Sequence, residues 1–262
     1  MDFTGMVALI TGGGGGIGRA AAIGFAKRGA KVMVVDHDAD LGQATVAALG
    51  ATARFVRADV TKSSDVQTYV QATLDAFGTI DCFFNNAGIE GSVTPIYEYD
   101  EEVFDRVIAV NVKGVFLGLR HVLPVMLKQG SGAVVNTASV AGLAGGPGMP
   151  AYVASKHAVL GITKVASTDV ARNGIRVNAV CPGPVETRMM RSLEQQRSPA
   201  DPERVAEAIR GGTPNGRYAL ADEIANAVLY LCSDLSTHIT GTHLVIDGGR
   251  NASGGAVAAT NR

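Results

Sequence analysis

Thr11–Gly18 reads TGGGGGIG, five consecutive glycines wedged between a short apolar run, VALI at Val7–Ile10, and IGRAAAIGFAKRG, whose apolar residues fall three and four apart. Gly13, Gly15 and Gly18 fit G-x-G-x-x-G, while Thr11, Gly12, Gly16 and Gly18 fit T-G-x-x-x-G-x-G. Both registers demand the same physics. The chain leaves a buried strand, turns where a Cβ would clash, and brings bare backbone up to an anion such as a pyrophosphate. It then starts a helix through Gly16, Ile17 and Gly18 whose free N–H groups face that anion. Between a strand and an amphipathic helix, the run reads as a phosphate-binding turn and not as a flexible linker.

Outward from this turn, short apolar and β-branched runs recur: VMVV at Val32–Val35, ARFV at Ala53–Val56, IDCFF at Ile80–Phe84, AVVN at Ala133–Asn136, IRVNAV at Ile175–Val180 and HLVI at His243–Ile246. They are continuous and not alternating, the mark of strands buried on both faces. Helical patterns that close on glycine, such as SSDVQTYVQATLDAFG from Ser63, separate them. Seven strands with helical crossovers predict an α/β fold: one doubly wound, seven-stranded parallel sheet flanked by helices, a Rossmann-type domain over residues 1–250. Residues 188–218 break the rhythm with charges and with Pro199, Pro202 and Pro214, although 203–210 is helical. Lying after a strand, this region suits a mobile lid over a ligand or a plain surface insertion. The tail at 251–262, NASGGAVAATNR, lacks large apolar residues. It is expected to be flexible, or to pack on a neighbouring subunit.

The 262 residues are 47% hydrophobic and 18% charged with a formal net charge of -1, which leaves no electrostatic footprint for nucleic acid or an anionic membrane. Cys82, Cys181 and Cys232 are odd in number and lack metal-ligand spacing, so buried apolar roles in a reducing compartment are expected, with no metal site. The opening MDFTGMVALITG has no basic start followed by a long apolar run, and no stretch elsewhere reads as the roughly 18 apolar residues of a membrane span. A soluble, cytoplasmic protein is expected.

Asp36 ends the second strand, 20 positions beyond Gly16 (16 to 36). An acidic side chain there can accept hydrogen bonds from both hydroxyls of an adenosine ribose and would repel a 2′-phosphate. In sequence no arginine or lysine stands in the turn or beside Asp36, and only His37 adjoins it. NAD is therefore favoured over NADP. Asp59 with Val60 closes the third strand, where the pair could hold adenine or the aspartate could cap the helix near Ser63.

Far downstream, YVASK places Tyr152 and Lys156 four apart on one helical face. A phenol has a reference pKa near ~10, and a neighbouring cation stabilises its anion and draws the value toward working pH. Such a phenol is the base that alcohol oxidation needs as hydride departs. Ser139, thirteen positions earlier (139 to 152) and just past the strand AVVNTA, can bring its hydroxyl to a substrate oxygen at the carboxyl edge of the sheet.

These motifs in this order resemble the short-chain dehydrogenase/reductase family in its compact form, over residues 7–249: TGGGGGIG, Asp59, NNAG at Asn85–Gly88, Asn111 in NVKG, Ser139, YVASK, and PGPVET at Pro182–Thr187. The resemblance implies that Tyr152 is the general acid/base and that Lys156 also bonds the nicotinamide ribose. It further implies that Ser139 positions substrate, and that Asn111 holds a water in a proton relay. By the same analogy Asn86, Ala87 and Gly88 line the adenosine side, while Pro182, Gly183, Val185 and Thr187 contact the nicotinamide half. Gly15 stands where many relatives carry serine or a basic residue, leaving cofactor preference to Asp36. A homotetramer is implied, with long helices such as 101–128 and 152–173 packed across two-fold axes.

Around the expected reaction point, Val140, Leu143, Ala144, Gly145, Gly146, Pro147, Met149 and Ile89 are small or apolar, with no cluster of cations to clamp an anion. The pocket thus suits a neutral secondary alcohol, cyclic or arylalkyl, and its ketone, with Val140, Met149, Ser139 and Tyr152 against it. Glu90, Arg188 and Arg191 would spoil that reading if they turned inward. Sugars, hydroxy acids and acyl thioesters are the alternative substrates. A noncatalytic dinucleotide-binding protein is the rival class, and it would be expected to lose Tyr152 or Lys156.

Overall fold

The computed structural model describes residues 1–253; residues 254–262 lie outside it, and with them most of the tail read as flexible. Seven strands form one all-parallel sheet: β1 Val7–Thr11, β2 Lys31–Asp36, β3 Ala53–Arg57, β4 Cys82–Asn85, β5 Gly132–Thr137, β6 Ile175–Pro182 and β7 His243–Ile246, in the spatial order β3-β2-β1-β4-β5-β6-β7. The crossover helices are α1 Gly16–Ala26, α2 Ala39–Leu49, α3 Ser63–Phe77, α4 Glu101–Ile108, α5 Gly114–Gln129, α6 Pro150–Val170, α7 Arg188–Arg197, α8 Pro202–Gly211 and α9 Ala221–Cys232.

The strands are mostly apolar because each face meets its own helical layer. Leu9, Met33, Phe83, Val134 and Val177 point to one side and pack with Val115, Leu119, Val122 and Val159 of α5 and α6. The residues beside them in the chain, Ala8, Ile10, Val32, Val34, Phe84 and Val135, point to the other and pack with Phe25, Val228 and Leu229 of α1 and α9. The period of two thus splits one apolar run between two cores. Each such fully buried large side chain contributes about 1.5–3 kcal/mol. Only the edges depart: β3 and β7 are partly exposed, having a neighbour on one side alone.

The strand order reverses between β1 and β4, and this switch point opens a crevice at the carboxyl ends of the strands. The glycine turn leaves β1 and the NNAG segment leaves β4, so both sequence motifs meet there.

Two expectations are corrected. The run Glu101–Gln129 is long and apolar enough, by length and composition, to cross a membrane, which the sequence reading had excluded. Its apolar residues Val115, Leu117, Val122 and Met126 are instead buried in this fold against the sheet. The region 188–218 holds two helices, not one, because Thr187 caps α7 by accepting the N–H of Met190 at 3.3 Å, a start that the charged sequence conceals.

Candidate active site

The glycine turn is built as its sequence requires. Gly12 and Gly16 adopt positive φ, 64° and 49°. A Cβ on Gly18 would stand 2.0 Å from the Gly12 carbonyl oxygen, so the turn and the first coil of α1 touch only because that residue has none. Gly15 faces open space. No side chain caps α1 and no acid sits in its first turn, which leaves the leading N–H groups, with Ile17 among them, available to an anion. This bare cradle fits the pyrophosphate of a dinucleotide.

Asp36, at the end of β2, is buried, and its Oδ2 accepts the Gly14 N–H at 2.9 Å while Oδ1 accepts that of Asp38 at 3.1 Å. The carboxylate is therefore fixed against the turn, where a ribose would lie. One expectation fails in space: Arg57 pairs in register with Asp36 across β2 and β3, and its Nε donates to the His37 carbonyl at 3.1 Å. A cation does stand beside Asp36, brought there by strand pairing and not by proximity in sequence. Asp59 turns back on its own loop, accepting from Thr61 N at 3.0 Å and Thr61 Oγ1 at 2.7 Å, with Lys62 Nζ at 3.6 Å from its Oδ2. Burial opposes its charge, but these bonds prevail and hold its carboxyl below the ordinary value. It braces the turn before α3 and accepts from none of that helix's own N–H groups. Val60 packs where a Cβ on Gly114 would fall, at 2.9 Å, which fixes the last residue of NVKG as glycine.

Asn86, Ala87 and Gly88 bracket the turn from the β4 side. Thr11 Oγ1 accepts the N–H groups of Asn86 at 2.9 Å and Ala87 at 3.1 Å. The Asn86 amide donates to the Thr11 carbonyl at 3.1 Å and accepts from Thr137 Oγ1 at 3.0 Å. Its side chain is spent on cross-bracing, and Thr11, the buried threonine that opens the glycine motif at the end of β1, is the pivot. From the opposite wall, the Thr187 methyl lies 3.4 Å from where a Cβ of Gly16 would be, and the Gly183 N–H bonds the Ile246 carbonyl at 2.9 Å. Pro182 ends β6, and Val185 bridges to Ala219. PGPVET thus runs along the cradle.

Tyr152 and Lys156 lie on one face of α6, with Nζ 5.4 Å from the centre of the tyrosine ring. The ammonium is buried and donates to the Thr137 carbonyl at 2.8 Å, leaving two donors. Gly88 permits this approach: a Cβ there would lie 3.6 Å from Lys156 Nζ and 3.2 Å from Asn111 Oδ1. Ser139 Oγ accepts the Ala141 N–H at 3.1 Å, capping the turn Val140–Gly142, and lies 3.4 Å from the Pro182 carbonyl. Tyr152, Lys156 and Ser139 therefore converge at the carboxyl end of β5 and β6.

The phenol is displaced opposite to expectation. Burial pushes Tyr152 up to about 12; the Ser139 hydroxyl opposes this, and the Glu90 carboxylate and Cys181 add to it. Burial likewise pushes Lys156 down to about 8, against the smaller pull of Cys181. Desolvation outweighs the attraction of one charge for the other.

Asn111 occupies a π turn, Ala109–Lys113, that separates α4 from α5, a distortion common at functional positions. Its fully buried amide accepts the Ile89 N–H at 2.8 Å and donates to the Ile89 carbonyl at 2.9 Å and Ser155 Oγ at 3.0 Å. Both amide donors are thus engaged, so the side chain fastens the loop after β4 to α6. Only its oxygen or its main chain could hold a water.

Met149 is buried at the head of α6, and Val140 is half-buried beside Ser139. Arg191 turns away, pairing with Glu194 at 3.0 Å and Glu186 at 3.7 Å. Glu90 stands close enough to act on Tyr152, so the wall is not wholly uncharged. Gln196 of α7 accepts the Val93 N–H at 2.9 Å and donates to the Gly91 carbonyl at 3.3 Å, which seats the 188–218 region across the loop after β4.

The family model described as enoyl-(acyl carrier protein) reductase matches residues 13–251. Levodione reductase of Leifsonia aquatica is 44% identical over 95% of this chain and 96% of its own. Its crystal structure superposes with a TM-score of 0.94 at 43% identity, covering 96% of this chain and 99% of that one. The 2,5-dichloro-2,5-cyclohexadiene-1,4-diol dehydrogenase of Sphingobium indicum is 40% identical over 96% of this chain and 99% of its own. A crystal structure of NAD+-bound xylitol dehydrogenase matches with a TM-score of 0.90 at 36% identity, covering 95% of this chain and all of that one, 100%.

Proposed function

The chain belongs to the short-chain dehydrogenase/reductase family, and from that premise we propose that it is an NAD-dependent oxidoreductase interconverting a neutral secondary alcohol, cyclic or arylalkyl, and its ketone. The observation that carries this reading is the convergence of Tyr152, Lys156 and Ser139 at the strand ends beside a bare glycine cradle. Relatives named as a levodione reductase and a cyclohexadiene-diol dehydrogenase support the substrate class. NAD is supported by Asp36, whose buried carboxylate would repel a 2′-phosphate, and by the likeness to an NAD+-bound structure.

When bound, the nicotinamide would supply the hydride acceptor for oxidation of the carbinol carbon and the hydride donor for the reverse reaction. The residues move the proton. Ser139 Oγ holds the substrate oxygen, and Tyr152 takes its hydroxyl proton or gives one to the ketone oxygen. A phenol held near 12 is protonated at neutral pH, which suits donation to a ketone; oxidation should gain rate as pH rises. Lys156, anchored by the Thr137 carbonyl, would turn its two remaining donors to the phenol and the ribose. Gly12, Gly16, Ile17 and Gly18 would hold the pyrophosphate, and Asp36 the adenosine ribose. Asp59, Val60, Asn86, Ala87 and Gly88 shape the adenosine side, with Pro182, Gly183, Val185 and Thr187 on the nicotinamide half.

Exposed Phe116, Leu127 and Val165 on α5 and α6 support a homotetramer closed through those helices. Three free, buried cysteines support a reducing compartment such as the cytoplasm. The substrate reading is tested by comparing kcat/KM for cyclic and arylalkyl secondary alcohols with that for hydroxy acids, sugar phosphates and acyl thioesters. Neutral alcohols should lead; an anionic substrate preferred by more than ~10-fold, about 1.4 kcal/mol, would contradict it.

A further inference from the structure

Among the described residues seven arginines follow β6, namely Arg188, Arg191, Arg197, Arg204, Arg210, Arg217 and Arg250, and Arg191, Arg210 and Arg217 are each paired, with Glu194, Glu203 and Glu223. Three of the other four, Arg197, Arg204 and Arg250, line a single cavity of about 480 Å³. Among the described residues none of these three has a carboxylate within ion-pair distance. Arg197 Nη2 donates to the Met149 sulfur at 3.7 Å, its one hydrogen bond among the described residues. The Arg204 guanidinium makes no hydrogen bond among the described residues, although its main-chain N–H is capped by Asp201 at 3.1 Å. Arg250 Nη1 is steadied by the carbonyls of Ile209 at 3.2 Å and Gly212 at 3.3 Å, which fixes the charge without neutralising it.

The floor of the cavity has a different character. Val205, Ala208 and Ile209 recur at helical spacing and present one apolar face of α8, and Ser198 lines the cleft with the arginines. Three like charges around an apolar cleft repel one another and stay hydrated until an anion arrives. A planar guanidinium fits a carboxylate or phosphate head, and the floor needs an apolar body to cover it. The volume lies within the range of small-molecule sites, roughly 300–1,000 Å³.

We propose that this cleft binds an amphiphilic anion, with a carboxylate or phosphate head among Arg197, Arg204 and Arg250 and an apolar chain laid on α8. Its lining includes none of Ser139, Tyr152 and Lys156, and it does not rest on the alcohol chemistry assigned to them. Arg197 ties the two regions, since its partner Met149 heads the helix that carries Tyr152.

The test is calorimetric titration of the whole protein with octanoate below its micellar concentration. Acetate supplies the charge without the chain, and 1-octanol the chain without the charge. Octanoate should bind saturably, with one site per chain, and at least ~10-fold more tightly than either control. Arg204→Ala and Arg197→Ala should each weaken it ~10-fold or more, and Arg204→Ala should leave the melting temperature and the turnover of a neutral alcohol unchanged. Absence of saturable binding, equal affinity for octanol, or unaltered affinity in both arginine variants would overturn the proposal. So would displacement of octanoate by the neutral alcohol substrate, which would place it in the catalytic crevice.

Discussion

Lys156 Nζ stands 5.4 Å from the centre of the Tyr152 ring, and burial displaces the two groups in opposite senses, the ammonium down to about 8 and the phenol up to about 12. The lysine is the more telling of the two for stability. Below pH 8 it is charged both folded and unfolded, and the folded protein bears the full cost of a buried cation. Above pH 8 the folded form releases the proton while the unfolded form, with its ordinary value of 10.5, still binds it. The unfolded state then holds more protons, so stability rises with pH from about 8 to 10.5, by about 3 kcal/mol at most. Tyr152 acts the other way, losing stability only above its ordinary value of 10.0. Urea midpoints between pH 7 and 10 should therefore rise for the wild type relative to Lys156→Met; a constant difference would contradict the buried ammonium.

Cofactor choice should follow Asp36, with Arg57 as the counterweight that strand pairing supplies. The wild type should favour NAD over NADP by at least ~100-fold in kcat/KM, about 2.7 kcal/mol. Asp36→Ala removes the acceptor of the Gly14 and Asp38 N–H groups and should weaken NAD most, narrowing the ratio. Adding Arg57→Ala to Asp36→Ala should then weaken NADP while sparing NAD. The chain has no tryptophan, so the fluorescence of bound NADH and NADPH gives the dissociation constants directly. Equal wild-type affinities would place the 2′-phosphate on Arg57 and His37 in spite of Asp36.

Asn111→Ala should destabilise the protein by about 2–4 kcal/mol, because it strands the Ile89 N–H, the Ile89 carbonyl and the Ser155 hydroxyl in a buried place. Turnover should fall at least ~10-fold as the loop after β4 loosens beside Lys156. Chemical denaturation and steady-state rates check both, and a loss under about 0.5 kcal/mol would show that the π turn holds without the amide.

The sheet was legible because seven apolar runs declare strands buried on both faces, and the glycine turn was legible because only glycine fits the Gly12–Gly18 contact. What the sequence withheld is what depends on residues far apart in the chain. Arg57 meets Asp36 through a register that no local pattern encodes. Thr11 gains its place by accepting two N–H groups from beyond β4, at a separation of 75 and 76 residues. The direction of the Tyr152 shift turns on burial, which motif spacing cannot report. The helix α7 hides behind arginines that look like a solvated loop until Glu194 is seen buried beneath Tyr218 Oη, 2.8 Å away. Spacing and composition reveal which groups are present; the partners that tune them come from the fold.

The most direct test of the proposed chemistry is NADH formation from NAD and a cyclic secondary alcohol, measured by absorbance for the wild type and for Tyr152→Phe, with NADH affinity measured alongside. Tyr152 is assigned the proton and not the cofactor, and general acid–base groups contribute ~10² to 10⁴ in rate. The wild type should form NADH steadily, and faster as pH rises; Tyr152→Phe should be slower by at least ~100-fold with NADH affinity within about twofold of wild type. Near-normal turnover in Tyr152→Phe would contradict the account.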